Sequence, residues 1–342
     1  MKTNPFPALI LWAVSAFTCH VNDGQTKGFK SVHFNLQELA PGVWAAINND
    51  SGGHAICNAG IVDLGDRTVV FDPFMNLDAA ADLRKAAETL TRREVGIVVN
   101  SHYHNDHIRG NQVFLPALIL GTTWTREKIA VSEPEELAWE VRNARGILEA
   151  NRKQTETATG FQKEELPLWI SYFEGMVENS HKVRTTLPNQ TFTDSLWIHG
   201  SARSVKLFEY RNGHTASDLV LMIPKEGIVF AGDLLFNGRH AWIGDGDPDA
   251  WSAHLRGWMD QTVYSRFVPG HGQPGDKKAV AEMIDYIQTL GGLAASYQKD
   301  TPDSTIKATP VPERFRNWKL RRFYPMNLSF LRQRQGFGSE TK

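Results

Sequence analysis

Three histidines and an aspartate, His102, His104, Asp106 and His107, crowd into the stretch "NSHYHNDHIRGNQ". Imidazole nitrogens and a carboxylate are borderline ligands well suited to zinc. His102 and His104 sit two apart, so along extended backbone both side chains point the same way. Asp106 and His107 follow where the chain should turn, and they can face the same cavity from the other side. One histidine alone is most simply a satisfied core or surface residue. This density at a strand exit points to metal instead. Four groups cannot complete two metal sites, so further ligands are expected downstream. The candidates are His214 in "RNGHTASD", Asp233 ending "IVFAGD" and His271 in "FVPGHGQPG", where glycines let backbone approach closely. Each stands at the carboxyl end of an expected strand, where α/β sheets collect their sites.

The elements that must position these groups are legible in the apolar patterning. "RTVVFD" (67–72), "VGIVVN" (95–100), "SVKLFEY" (204–210), "DLVLMI" (218–223), "GIVFAGD" (227–233) and "RFVPGHG" (266–272) read as strands. Leu77 to Leu90 is Ala-rich and amphipathic. Val280, Ile284 and Ile287 mark a helix expected to stop at Gly291-Gly292. Buried strands with interleaved helices argue an α/β sandwich of sheets flanked by helices. A helical insertion is expected over about 124–185. Ser132 and Glu135 form a capping box before Leu137, Val141, Ala144 and Leu148, and a second helix near Pro167 carries Trp169, Phe173 and Met176. Packing on the core is the simpler role for that insertion, and a lid is the alternative. Beyond Thr301, arginines alternate with aromatics. A strap with buried Trp318, Phe323 and Tyr324 and solvated arginines accounts for this without nucleic acid.

Taken in order, "HYHNDH", "GHT", "AGD" and "GHG" resemble the motifs of the metallo-β-lactamase superfamily, over about residues 32–295. The resemblance implies an αββα sandwich of two mixed β-sheets. It implies one metal held by His102, His104 and His214, and a second held by Asp106, His107 and His271, with Asp233 bridging both. Asp72, ending "TVVFD", matches the family's first motif and would orient ligands; otherwise it caps the helix after Asn76. The implied cofactor is a pair of zinc ions, with iron or manganese as alternatives. The implied activity is hydrolysis of an ester, thioester, lactone or lactam by hydroxide generated at the metals, with Asp106 also orienting the nucleophile. An aspartate at position 233 is similar to glyoxalase II and lactonases, whereas true β-lactamases usually carry cysteine or serine there. A β-lactamase, an iron-dependent persulfide dioxygenase and an inactive binding protein stand as rival readings. The loop "NGRHAWIGDGDPDAW" should cover the metals, with Asn237, Arg239 and Trp242 gripping substrate and His240 donating to a developing oxyanion.

A chain of 342 residues with a net charge of −1 can bury a sizeable core and gives no bulk electrostatic case for nucleic acid. A small-molecule substrate is the expected partner. The N-terminus carries one early lysine, an apolar run from Ala8 to Thr18, and then Cys19. The run is shorter than the roughly 20 apolar residues of a membrane span and fits a secretory leader. The residues before Cys19 resemble a lipobox, so lipidation at Cys19 is one expectation and ordinary cleavage the other. Export follows either way, to the periplasm, to a lipid-anchored membrane position or to the exterior. The expected layout is a leader over 1–19, a linker over 20–31, the metal-binding domain over 32–295 and the strap over 296–342. Cys57 is the one other cysteine, so with Cys19 lipidated or cleaved away no intramolecular disulfide is expected.

Overall fold

The computed structural model describes residues 29–334 apart from Ser51. The leader, Cys19 and linker residues 20–28 lie outside the described residues. Among the described residues no helix is long and apolar enough to cross a membrane.

Two mixed sheets form the centre of the molecule, as expected. The first runs in chain order: β1 (Phe34–Ala40), β2 (Val43–Asn48), β3 (Ala59–Asp63), β4 (Thr68–Phe71), β5 (Val95–Val99), β6 (Leu118–Thr122) and β7 (Gln190–Phe192). Its first four strands are antiparallel and the remainder parallel. The second sheet contains β8 (Ser195–His199), β9 (Ser204–Arg211), β10 (Ser217–Ile223), β11 (Ile228–Phe236) and β12 (Arg266–His271), with β12 parallel to β11 at one edge. The continuous apolar run of β10 has a direct cause. Leu219, Leu221 and Ile223 face the core between the sheets, while Val220 and Met222 face the core beneath the outer helices. A strand buried on both faces cannot alternate polar and apolar residues. β9 does alternate, with Val205 and Leu207 turned inward.

Helices cover both outer faces. On the first sheet lie α1 (Leu77–Thr91) and the one-turn helices α2 (Asn105–Ile108) and α3 (Asn111–Phe114). The insertion consists of α4 (Thr123–Gln154) and α5 (Gly160–Asn179). α6 (Pro248–Asp260), α7 (Lys277–Ser296), the short α8 (Asp303–Lys307) and α9 (Phe323–Arg332) complete the other side. Three helix boundaries depart from the sequence reading. α4 starts at its cap Thr122, whose hydroxyl accepts from the Thr125 N–H, and Ser132 sits mid-helix with its hydroxyl on the Lys128 carbonyl. α5 starts seven residues before Pro167 and carries that proline inside. α7 continues through Gly291-Gly292 because Leu290 and Ala294 bury on the same face, offsetting a glycine cost of about 1 kcal/mol each. The strap buries Trp318 and Tyr324, but its arginines are not all solvated. Arg332 is buried and donates to the carbonyls of Gln298, Lys299 and Thr301.

One buried ion network fastens the insertion to the histidine-rich segment. Arg109, just after α2, donates to Glu133 at 2.7 Å and to both oxygens of Glu140 at 2.7 and 2.8 Å, both partners lying on α4. Glu140 also accepts from Asn105 and from Ser180 at the end of α5. Glu133 and Glu140, two turns apart on one face of α4, are thereby held beside Arg109. Removing one member leaves buried charge uncompensated, so Arg109→Met is expected to lower unfolding stability by about 3–5 kcal/mol. Urea denaturation of metal-loaded protein measures it, and a change under 1 kcal/mol would show the network to be dispensable.

Candidate metal centre

The histidine segment begins where β5 ends. Asn100 and Asn111 exchange side-chain hydrogen bonds at 2.9 Å and close the turn. The chain bends through His102, is extended at His104, and then folds into α2, which lifts Asp106 and His107 back toward them. His214 lies in the turn between β9 and β10, Asp233 within β11, and His271 at the end of β12. Seven side chains from four segments and both sheets meet at one place.

Two donor sets share one carboxylate. His102, His104, His214 and Asp233 bring ligand atoms within 4.8 Å of one another, and so do His107, Asp233 and His271. In the first set the Nε2 atoms of His102 and His214 stand 2.9 and 3.0 Å from His104 Nδ1. Those separations approach the roughly 3.4 Å edge of a tetrahedron with zinc–nitrogen bonds near 2.1 Å. Asp106, which groups with His107 and Cys57, stands beside the second set, its Oδ2 3.5 Å from His107 Nε2 and 3.3 Å from His271 Nε2. His107 Nε2 and Asp233 Oδ1 are 3.2 Å apart, sealed from solvent, and neither has a hydrogen-bond partner. Buried polar atoms left this way are costly unless a cation completes them. The donor chemistry and the orphaned atoms both fit a pair of divalent metals.

Charge is already polarised across the two sets. Burial, reinforced by neighbouring imidazoles, holds His102 well below its ordinary range. Burial likewise takes His214 down to about 3, against the pull of Asp233. Neutral imidazole is the ligand form. Burial would push Asp106 up, but His107 and His271 overcome it and hold the carboxyl at about 2. Burial would lower His271, yet Asp233 and Asp106 raise it to about 9. Those opposed shifts describe carboxylates and imidazoles competing for protons that a metal would displace.

Close approach depends on glycine. A Cβ on Gly270 would fall 1.8 Å from Asp233 Oδ1, and one on Gly232 would meet the Ser101 side chain at 2.8 Å. No other residue type lets β11 and β12 bring Asp233 and His271 together here.

Supporting side chains fix the ligands. Asp72, fully buried in left-handed backbone, accepts from the Ser101 N–H at 2.7 Å and contacts His107 Nδ1 at 2.8 Å. It orients His107 and makes no cap to α1, whose N-cap is Asn76. Three supports escaped the sequence reading. Asp245 contacts His104 Nε2 at 3.1 Å, leaving Nδ1 for the centre, and accepts from Trp242 Nε1 at 2.7 Å. Asp218 ties down the turn after His214 through the backbone N–H and hydroxyl of Thr215. Asn58 donates to the carbonyls of Pro269 and Gly272, on either side of His271. The acid in "GDGDPD" and the one closing "RNGHTASD" were visible, but nothing in the spacing tied either to a histidine.

The covering loop needs correction in two places. His240 is buried and does not line the cavity over the centre. Its Nδ1 contacts the Tyr286 hydroxyl at 3.1 Å, and its ring lies among Tyr286, Trp318 and Tyr324. The strap, expected from the sequence but without a docking site that its motifs could show, packs on His240 away from the cavity. Asn237 also turns aside, donating to the Gln273 carbonyl. Arg239 and Trp242 do line the cavity, with Arg239 Nη2 donating to both Asp50 oxygens at 3.0 and 2.8 Å.

Comparison with known proteins agrees with this geometry. The model of the metallo-beta-lactamase superfamily matches residues 52–271. A metallo-beta-lactamase type 2 of Bacteroides fragilis is 30% identical over 108 residues, covering 30% of this chain and 42% of that protein, so the match spans less than half of the relative's length. A metallo-beta-lactamase from Pontibacter korlensis superposes with a TM-score of 0.51 at 15% identity, covering 75% of this chain and 99% of that one. A metallo beta lactamase from Erythrobacter litoralis, with beta mercaptoethanol in its active site, superposes with a TM-score of 0.51 at 16% identity, over 76% and 99%. At such identity the superpositions speak for the fold.

Supports of this kind are typically worth 10–100-fold in metal affinity. Asp245→Ala is therefore expected to weaken the metal held by His104, and Asp72→Asn the metal held by His107, each by about that factor. Zinc titration against a chromophoric chelator should find one weakened site per variant, and two unchanged sites would remove both residues from the ligand support.

Proposed function

Because this chain belongs to the metallo-β-lactamase superfamily, we propose that it is a dinuclear zinc hydrolase of esters, thioesters, lactones or lactams. The observation that carries the reading is Asp233, whose two oxygens serve both donor sets. His102, His104 and His214 would hold one ion, and Asp106, His107 and His271 the other. Metal bound there supplies Lewis acidity, acidifying a water and polarising a carbonyl oxygen. Asp106 stays ionised and can accept a hydrogen bond from that water, turning it toward the substrate. Trp242 and Arg239 form the floor on which the substrate rests, with Arg239 held rigid by Asp50. Apolar walls around the centre exclude bulk water and strengthen each of these interactions.

Metal quantitation joined to a hydrolytic panel tests this. Protein loaded with zinc is expected to carry two ions per chain and to hydrolyse at least one of nitrophenyl acetate, a thioester, a lactone and nitrocefin. Chelation is expected to abolish turnover and added zinc to restore it. One iron per chain with oxygen uptake would instead support a persulfide dioxygenase. Full metal loading without turnover of any panel member would favour a binding role.

Export is proposed from the apolar run ahead of Cys19. Intact mass of the mature protein is expected to place its first residue at or near Cys19, with a diacylglyceryl increment if the lipobox is used. A mature protein retaining Met1 would refute export by this leader.

A further inference from the structure

The cavity over the metal centre does not end there. Its volume is about 310 Å³, and it adjoins a second, more open cavity of about 810 Å³. The two share Asn105, Glu136, Trp169, Tyr172, Phe323 and Met326 as common lining. They are therefore two parts of one trough, with α5 on one side and α9 on the other. An aromatic wall runs along it. Trp242 meets Phe323 at 5.8 Å between ring centroids, Phe323 meets Trp169 at 5.9 Å, and Trp169 meets Tyr172 at 5.9 Å. Arg322 lies 4.0 Å over the Trp169 ring and braces it. Such a wall offers large rigid apolar area at little cost in side-chain entropy.

Charge in the inner cavity disfavours one class of reacting group. Among the described residues, Arg239 is the one lysine or arginine lining the inner cavity, and both oxygens of Asp50 already engage it. Asp50 is held further by Lys319 at 2.7 Å. At the junction with the outer cavity stands Glu136, an acid. A carboxylate close to the reacting carbonyl would thus meet no lysine or arginine of the inner cavity free of a partner, and its desolvation there would go uncompensated, whereas Arg142 and Arg322 line the outer cavity.

Resting on the hydrolase reading above, we propose that the substrate is an ester, thioester or lactone uncharged around its reacting carbonyl, with an extended apolar arm. Its carbonyl faces the metal centre, and its arm lies along the Trp169–Phe323 wall into the outer cavity. Hydrolysis adds water across the acyl bond, giving a carboxylic acid and the released alcohol or thiol, so no further reactant is required.

Nitrophenyl acetate, butyrate, octanoate and hemisuccinate, offered to the zinc-loaded full chain, test it. From acetate to octanoate kcat/KM is expected to rise about tenfold or more, since each buried methylene contributes severalfold. The hemisuccinate should react more slowly than butyrate of equal chain length. Trp169→Ala and Phe323→Ala should each lower the octanoate-to-acetate ratio severalfold. A flat series, or hemisuccinate outpacing butyrate, overturns the substrate class while leaving the hydrolase intact. Binding of octanamide to metal-free protein, followed by tryptophan fluorescence, separates the other failure. Saturable binding without turnover of any ester would refute the hydrolase and keep the arm site, whereas no binding would refute the arm site.

Discussion

Five imidazoles and two carboxylates held within a few ångströms of one another are the constraint around which this protein is built. Burial penalises each charged form, and the groups also act on one another. His102 and His214 are driven toward neutrality while Asp106 and Asp233 stay ionised. Such a cluster is stable as a set only with cations at its centre, and until then the surrounding scaffold must hold it against its own repulsion. Hydrogen bonds cross between the sheets beside the centre, from the Leu219 N–H to the Ser101 carbonyl at 2.6 Å and from the Asn58 N–H to the Gly270 carbonyl at 2.7 Å. The centre thus joins the two halves of the sandwich as well as serving chemistry.

Much of this was legible beforehand for a physical reason. Strands buried on both faces read as unbroken apolar runs, so "DLVLMI" and "GIVFAGD" identified themselves, and ligands at their ends followed. Histidines in that density also have few structural explanations. The edge strands β1, β7 and β8 left weaker traces because half of each faces solvent. The Ser132 capping signature misled because the turns ahead of it are kept in the helix by packing, with Ile129 buried against Tyr103 and Ile108.

The region around the ligands was harder to read. His240 looked like an oxyanion donor because sequence places it beside Arg239 and Trp242, yet its environment is set by Tyr286, Trp318 and Tyr324, far along the chain. Asp245, Asp218 and Asn58 act through long-range or turn contacts with no periodicity or spacing to announce them. Ligand identity is written in local motifs, whereas the orientation of ligands and the shape of the cleft depend on long-range packing.

The trough's outer wall has a consequence for the order of assembly. Every ligand, from His102 to His271, belongs to the sandwich and its connecting turns, while Phe323 and Met326 arrive with α9, later in synthesis. A nascent chain therefore possesses its full set of metal donors before the groove acquires its second side. The last helix of the described chain thus closes a face whose donors all precede it in sequence, turning an open surface into a walled channel.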